Sequence, residues 1–177
     1  MIKITLPDGS VREFEPGVTP FAVANSISSG LARNVLSASI NGKTVESVTP
    51  ILEDAELVLH TWDNDEGKTA FWHSSAHILA QTLEDLYPGV KLTIGPAIEN
   101  GFYYDVDTLD YVISEKDTPT IEKRFLEFAR EKAQFKMRDV SKKDALDLYK
   151  TQGNEFKVEL IENLTDGEIT FCDHSNF

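Results

Sequence analysis

Two histidines, His73 and His77, stand four residues apart in the run Trp72-His73-Ser74-Ser75-Ala76-His77. They are half of the four histidines in the chain. On a helix, residues i and i+4 share a face. Both imidazoles can therefore reach one metal ion, one water or one substrate group. A glutamate directly after the first histidine would suggest a metalloprotease, but Ser74 stands there. Two histidines also leave a zinc site short of ligands, and Cys172 and His174 are the other candidates. The plain alternative is two partly exposed histidines with no joint role.

Other residues invite the same double reading. Tyr103, Tyr104 and Asp105 can be ordinary strand residues. Tyrosines beside a polar cleft also suit recognition, since the ring packs while the hydroxyl hydrogen-bonds. Lys157 alternates with Phe156 and Val158, as a solvent-facing strand lysine does. A lysine turned into a cleft could instead orient a water or stabilise an oxyanion.

These residues need a scaffold, and 177 residues with 41% hydrophobic content supply one medium domain or two small ones. No apolar run approaches the ~20 residues of a membrane span. The start, Met1-Ile2-Lys3-Ile4-Thr5, lacks the charged and apolar regions of a signal peptide. A single cysteine, Cys172, forms no internal disulfide, so the cytoplasm is the expected compartment. The net charge is −13 and the pI about 4.6. Such a chain repels phosphate as a whole. Any RNA contact must come from a local basic cluster or from a larger protein.

Residues 1–62 read as short strands around one helix. Ile2, Ile4 and Leu6 alternate with polar residues ahead of a Pro7-Asp8-Gly9 turn, and Val11 to Phe14 returns as a hairpin partner. Thr19-Pro20 starts a helix to Ile27, with Gly30 at its exit. Leu36 to Ile40 and Leu57 to Thr61 read as strands, with Asn41-Gly42 as a hairpin turn. The order ββαββ predicts a β-grasp, ubiquitin-like module.

Residues 63–177 read as α+β, with an antiparallel sheet and flanking helices. Asp63 to Gly67 is an expected linker and Thr69 an expected N-cap for a helix to Tyr87. Trp72, Ala76, Leu79, Leu83 and Leu86 form its apolar stripe, with His73 and His77 roughly 100–140° to the side. Val90 to Ile94, Gly101 to Val106, Phe135 to Val140, Phe156 to Ile161 and Ile169 to Cys172 read as strands. Helices are expected from Pro119 to Ala133 and, behind a Ser141 cap, to Thr151.

The motifs taken together point to a family. Ile4-Thr5-Leu6-Pro7-Asp8-Gly9-Ser10 resembles the opening of the TGS module in bacterial threonyl-tRNA synthetases. Three further segments resemble the editing domain that follows it. They are His73-Ser74-Ser75-Ala76-His77, Ile94-Gly95-Pro96 and Asn100-Gly101-Phe102-Tyr103-Tyr104-Asp105. The histidine motif alone is shared with alanyl-tRNA synthetase editing domains. The full set, in this order, is highly specific and covers the whole chain.

The resemblance implies a TGS domain over 1–62 and an editing domain over 63–177 that hydrolyses mischarged Ser-tRNA(Thr). Serine and threonine differ by one methyl group, worth about 1–3 kcal/mol or roughly 10–200-fold in selection, so a second sieve is required. By resemblance His73 meets the terminal ribose or the attacking water, and Lys157 positions that water or stabilises the oxyanion. His77 orients the amino acid, and Tyr104 shapes the serine pocket. The family's later Cys-x-x-x-His motif is absent, because Cys172-Asp173-His174 has the wrong spacing. The expectation is therefore a fragment with an incomplete editing site, unable to charge tRNA. The resemblance puts zinc and ATP-Mg in a catalytic core outside this chain, and no cofactor or metal ligand within it. It implies the acceptor end of tRNA(Thr) as partner, no membrane, a homodimeric parent enzyme and a monomeric fragment. Two other readings stand beside it. One is a non-catalytic TGS-type binding module, and the other a zinc-dependent hydrolase of the alanyl type.

Overall fold

A computed structural model describes residues 1–167 and 169–174. Its packing divides the chain into two units, Met1–Trp72 and His73–Phe177.

In the first unit, period-2 alternation gives β1 (Ile2–Thr5) one apolar face, with Ile2 and Ile4 buried. Asp8 Oδ1 accepts hydrogen bonds from the Ser10 backbone N–H and hydroxyl, and the chain returns as β2 (Val11–Phe14), antiparallel to β1. Thr19 accepts from the Ala22 N–H and Pro20 opens α1 (Pro20–Ile27). Gly30 does not close that helix. It lies inside a second one, α2 (Ser29–Asn34), because the Ser28 hydroxyl accepts from the Leu31 N–H at 3.0 Å and restarts the coil.

The next hairpin joins β3 (Ser37–Ile40) to β4 (Lys43–Val45). Its turn needs positive φ at both positions, and Asn41 and Gly42 adopt +50° and +79°. The last strand, β5 (Ala55–His60), runs parallel to β1 and antiparallel to β3. The sheet order β2-β1-β5-β3-β4 is the expected β-grasp. Val23 of α1 packs among Ile4, Ala38 and Leu57, all at 0% exposure, which makes one small core.

Helix α3 (Asp65–Leu86) starts inside the segment expected to be a linker. Asp65 and Glu66 suit the positive end of the helix dipole. Gly67 lets the first turn close onto Thr61, whose carbonyl oxygen would lie 1.9 Å from an added Cβ. Thr69 is thus interior to the helix rather than its cap. The helix runs through the division between the units.

The second unit is α+β. Its strands are β6 (Lys91–Leu92), β7 (Ala97–Ile98), β8 (Gly101–Phe102), β9 (Val106–Asp107), β10 (Lys136–Asp139) and β11 (Thr170–Asp173). They pair as β6 with β9, β7 with β8 and β10 with β11, each antiparallel. Its further helices are α4 (Thr118–Arg130), α5 (Lys142–Thr151) and α6 (Glu155–Glu162). The Ser141 cap holds as expected, accepting from the Asp144 N–H.

Residues 156–161 depart from the sequence expectation: they are helical, not a strand. The Asn154 side chain accepts from the Lys157 N–H at 3.1 Å and caps α6, and Glu155 favours its N-terminus. The alternation of Phe156 and Val158 is overridden because Ile161 packs with Ala145 and Ile169, which a helical repeat allows. A second core joins Ala80, Leu83, Val90 and Leu92, with Tyr104, Val106 and Ile121 against it. Arg124 of α4 binds Asp85 of α3 with two hydrogen bonds, at 2.7 and 3.1 Å.

Candidate functional site

The i,i+4 spacing does what it promised. His73 and His77 meet on α3 with their Nε2 atoms 3.1 Å apart. One Nε2–H must donate to a bare Nε2 on the other ring, so the pair holds complementary tautomers. Both rings are biased toward the neutral form that this requires. Loss of water lowers His73. Burial does the same to His77, helped by His73, His174 and Lys157, and brings it to about 4.

Lys157, the third residue of α6, faces this pair electrically, since its charge helps to depress His77. Its place follows from two tethers on the start of α6. Asn154 donates to the Leu92 carbonyl at 3.1 Å, and Glu155 accepts from Lys91 at 2.6 Å. Burial lowers the Lys157 ammonium, while the carboxylate of Glu84 opposes that shift. Glu84 is raised by desolvation, with Lys157 pulling the other way.

Tyr104 lies between β8 and β9 and turns inward, whereas Tyr103 is 52% exposed. Its ring covers the backbone of Gly95, where an added Cβ would lie 2.2 Å from Cδ2 and 2.4 Å from Cε2. Burial pushes its hydroxyl up to about 12, with Tyr149 and Glu84 adding to the effect. Tyr104 therefore stays protonated and can donate a hydrogen bond.

All four expected site residues thus gather in the second unit. Sequence reasoning passed over Glu84, whose carboxylate opposes the downward shift of Lys157, and Tyr149, whose charge adds to the upward shift of Tyr104. Glu84 was within reach of a helical count. It stands seven residues after His77, so His73, His77 and Glu84 fall within an arc of about 40°. Tyr149 comes from α5 and had no local signal.

His174 also joins the group. It is 4% exposed, its ring lies 5.9 Å edge-on from His77, and Phe135 packs on it at 4.6 Å. Burial lowers its pKa, against a hydrogen bond with the His77 backbone. Cys172 lies in β11 opposite Met137, within a strand ladder. Among the described residues, no three His, Cys, Asp or Glu side chains are grouped to hold a metal ion. The second unit offers imidazoles that burial biases toward the neutral form, a lysine whose charge acts on His77, and a phenol. That set suits binding a polar substrate and activating or orienting a water.

Known proteins match the chain on both units. The family model of the TGS domain matches residues 2–61. A threonine–tRNA ligase from Flavobacterium johnsoniae is 63% identical over all 177 residues, which cover 27% of that enzyme. The threonine–tRNA ligase of Cytophaga hutchinsonii is 51% identical over the same 177 residues, again 27% of its length. That of Bacteroides thetaiotaomicron is 54% identical over 170 residues, 96% of this chain and 26% of the enzyme. The chain spans about a quarter of the length of the curated relatives it matches. The chain carries a TGS domain at its N-terminus, and over its full length it is similar to the N-terminal region of bacterial threonine–tRNA ligases.

Proposed function

We propose that the chain is the TGS-plus-editing region of a threonine–tRNA ligase, residues 1–62 being the TGS domain and 63–177 the editing domain. In this reading the second unit hydrolyses serine wrongly esterified to tRNA(Thr), in a cytoplasmic enzyme that joins threonine to tRNA with ATP. The observation that carries it is the meeting of His73 and His77 at 3.1 Å between their Nε2 atoms. Burial that lowers both imidazoles, and a lysine charge from Lys157 acting on His77, support the same reading.

An aminoacyl ester needs a positioned water and support for the tetrahedral oxyanion, and no covalent nucleophile. Lys157 supplies positive charge where that oxyanion forms. Its partial burial strengthens the interaction, because fewer waters screen it. His77, held near 4, is a poor base at neutral pH and acts by hydrogen-bonding the amino acid. His73 is less depressed by its surroundings and is placed to meet the ribose or the water. Tyr104 closes the pocket wall, where its fixed ring favours the smaller serine side chain over threonine.

The test is hydrolysis of Ser-tRNA(Thr) by the full gene product carrying His73→Ala and Lys157→Ala together. The rate is expected to fall about 10²-fold or more, the usual scale for losing acid–base or oxyanion groups. An undiminished rate would remove these residues from the reaction.

A further inference from the structure

A lysine at the first position of a helix goes against the helix dipole, whose N-terminal end is positive. Helix α5 nevertheless opens with Lys142 and Lys143, directly after its Ser141 cap. Lys143 is exposed to water, but Lys142 is half-buried. The Lys142 ammonium is engaged on another element. It donates to the carbonyl oxygens of Glu162 and Leu164, each at 2.8 Å. Glu162 ends α6, and Leu164 follows the Asn163 cap of that helix. The Lys142 backbone N–H donates to Asp166 Oδ1 at 2.8 Å, so the lysine is itself anchored to the chain leaving α6.

Helix α6 has no basic residue in its own last turn. The C-terminal end of a helix is negative, and its final carbonyls lack partners within the helix. A cation from α5 answers both needs. The placement that disfavours α5 is thus accounted for by what it does for α6. Two ties hold the start of the same helix to β6, through Asn154 at 3.1 Å and Glu155 at 2.6 Å. Between these holds stands Lys157, the third residue of α6. Its ammonium is partly desolvated and would gain hydration by moving outward.

We propose that Lys142 is a positioning residue for Lys157. It fixes the C-terminal end of α6 as β6 fixes the start, and so opposes outward relaxation of the Lys157 ammonium. Lys142 is not among the charges that act on His77, which are those of His73, His174 and Lys157. Any effect of Lys142 on His77 must therefore pass through the placement of Lys157. The consequence for hydrolysis rests on the editing reading, whereas the placement of Lys157 does not.

The experiment is a ring NMR titration of His77 in the wild type, Lys142→Met, Lys157→Met and the double variant. Methionine keeps the length of the stem and removes the charge and the donors. Lys157→Met should raise the titration point of His77, because a nearby cation disfavours the imidazolium. Lys142→Met should raise it by a smaller amount, and should add nothing once Lys157 is gone. Lys142→Arg keeps charge and donors and should restore the wild-type value. In the full gene product, Lys142→Met should lower kcat for Ser-tRNA(Thr) hydrolysis by roughly tenfold to 10²-fold with KM unchanged, as a small displacement of a reacting group does. If Lys142→Met does not fold, Lys142→Gln loses the charge but keeps an amide donor, and carries the same measurements. An unmoved His77 titration, or an equal rise with and without Lys157, would overturn the proposal. A Lys157-dependent shift together with undiminished hydrolysis in the His73→Ala, Lys157→Ala protein would retain the clamp on α6 and remove the editing assignment.

Discussion

Gly95→Ala tests how tightly the pocket wall is built. The new methyl carbon would lie 2.2 and 2.4 Å from two carbons of the Tyr104 ring, against 3.4–4 Å for ordinary contact. The ring must retreat by more than an ångström, or the backbone must yield. Overpacking of this kind costs about 1–3 kcal/mol. For a unit of this size each kcal/mol shifts Tm by roughly 4–8 °C. Gly95 is not in the left-handed region, so alanine brings no φ penalty of its own. The ring is then the whole obstacle, and a double-mutant cycle isolates it. Thermal or urea unfolding of Gly95→Ala, Tyr104→Ala and the double variant should give a coupling of about 1–3 kcal/mol. The glycine change should become nearly neutral once the ring is gone, or stabilise by about 0.4–1 kcal/mol through the unfolded chain. Should Gly95→Ala cost the same with and without the ring, the close approach would not be what constrains this position.

Two further outcomes follow from the same geometry. His77 should titrate near 4 by histidine ring NMR, well below an exposed histidine. Because the unfolded chain takes that proton near 6.5, the stability linked to a neutral His77 is present above pH 6.5. It is lost as the pH falls toward 4, by up to about 3 kcal/mol, and a flat stability profile across that window would refute the burial argument. Asn154→Asp should retain the cap on α6 but lose the donation to Leu92, so helix content by circular dichroism holds while Ser-tRNA(Thr) hydrolysis falls. An unaffected rate would show that this tether does not place Lys157.

The parts of this molecule that were legible in its sequence are those governed by neighbouring residues. Asn41-Gly42 specifies a turn that needs two positive φ angles, and Thr19-Pro20 satisfies the N–H groups of a helix start. The histidine pair belongs to the same class, since four residues on one helix bring two rings together whatever surrounds them. Lys157 is a different case. Phe156 and Val158 alternate as in a strand, yet the cap from Asn154 and the burial of Ile161 favour a helix. The charge of Lys157 nevertheless acts on His77, and the start of its helix is tied by Asn154 and Glu155 to β6, more than sixty residues earlier. Glu84 and Tyr149 show the complementary failure. Neither carries a motif, and each matters only through the charges and rings that distant segments bring to it. A spacing rule can therefore find the donors of a site. The groups that set their charge come from packing, and a variant that moves β6 or α6 should change this chemistry without touching either histidine.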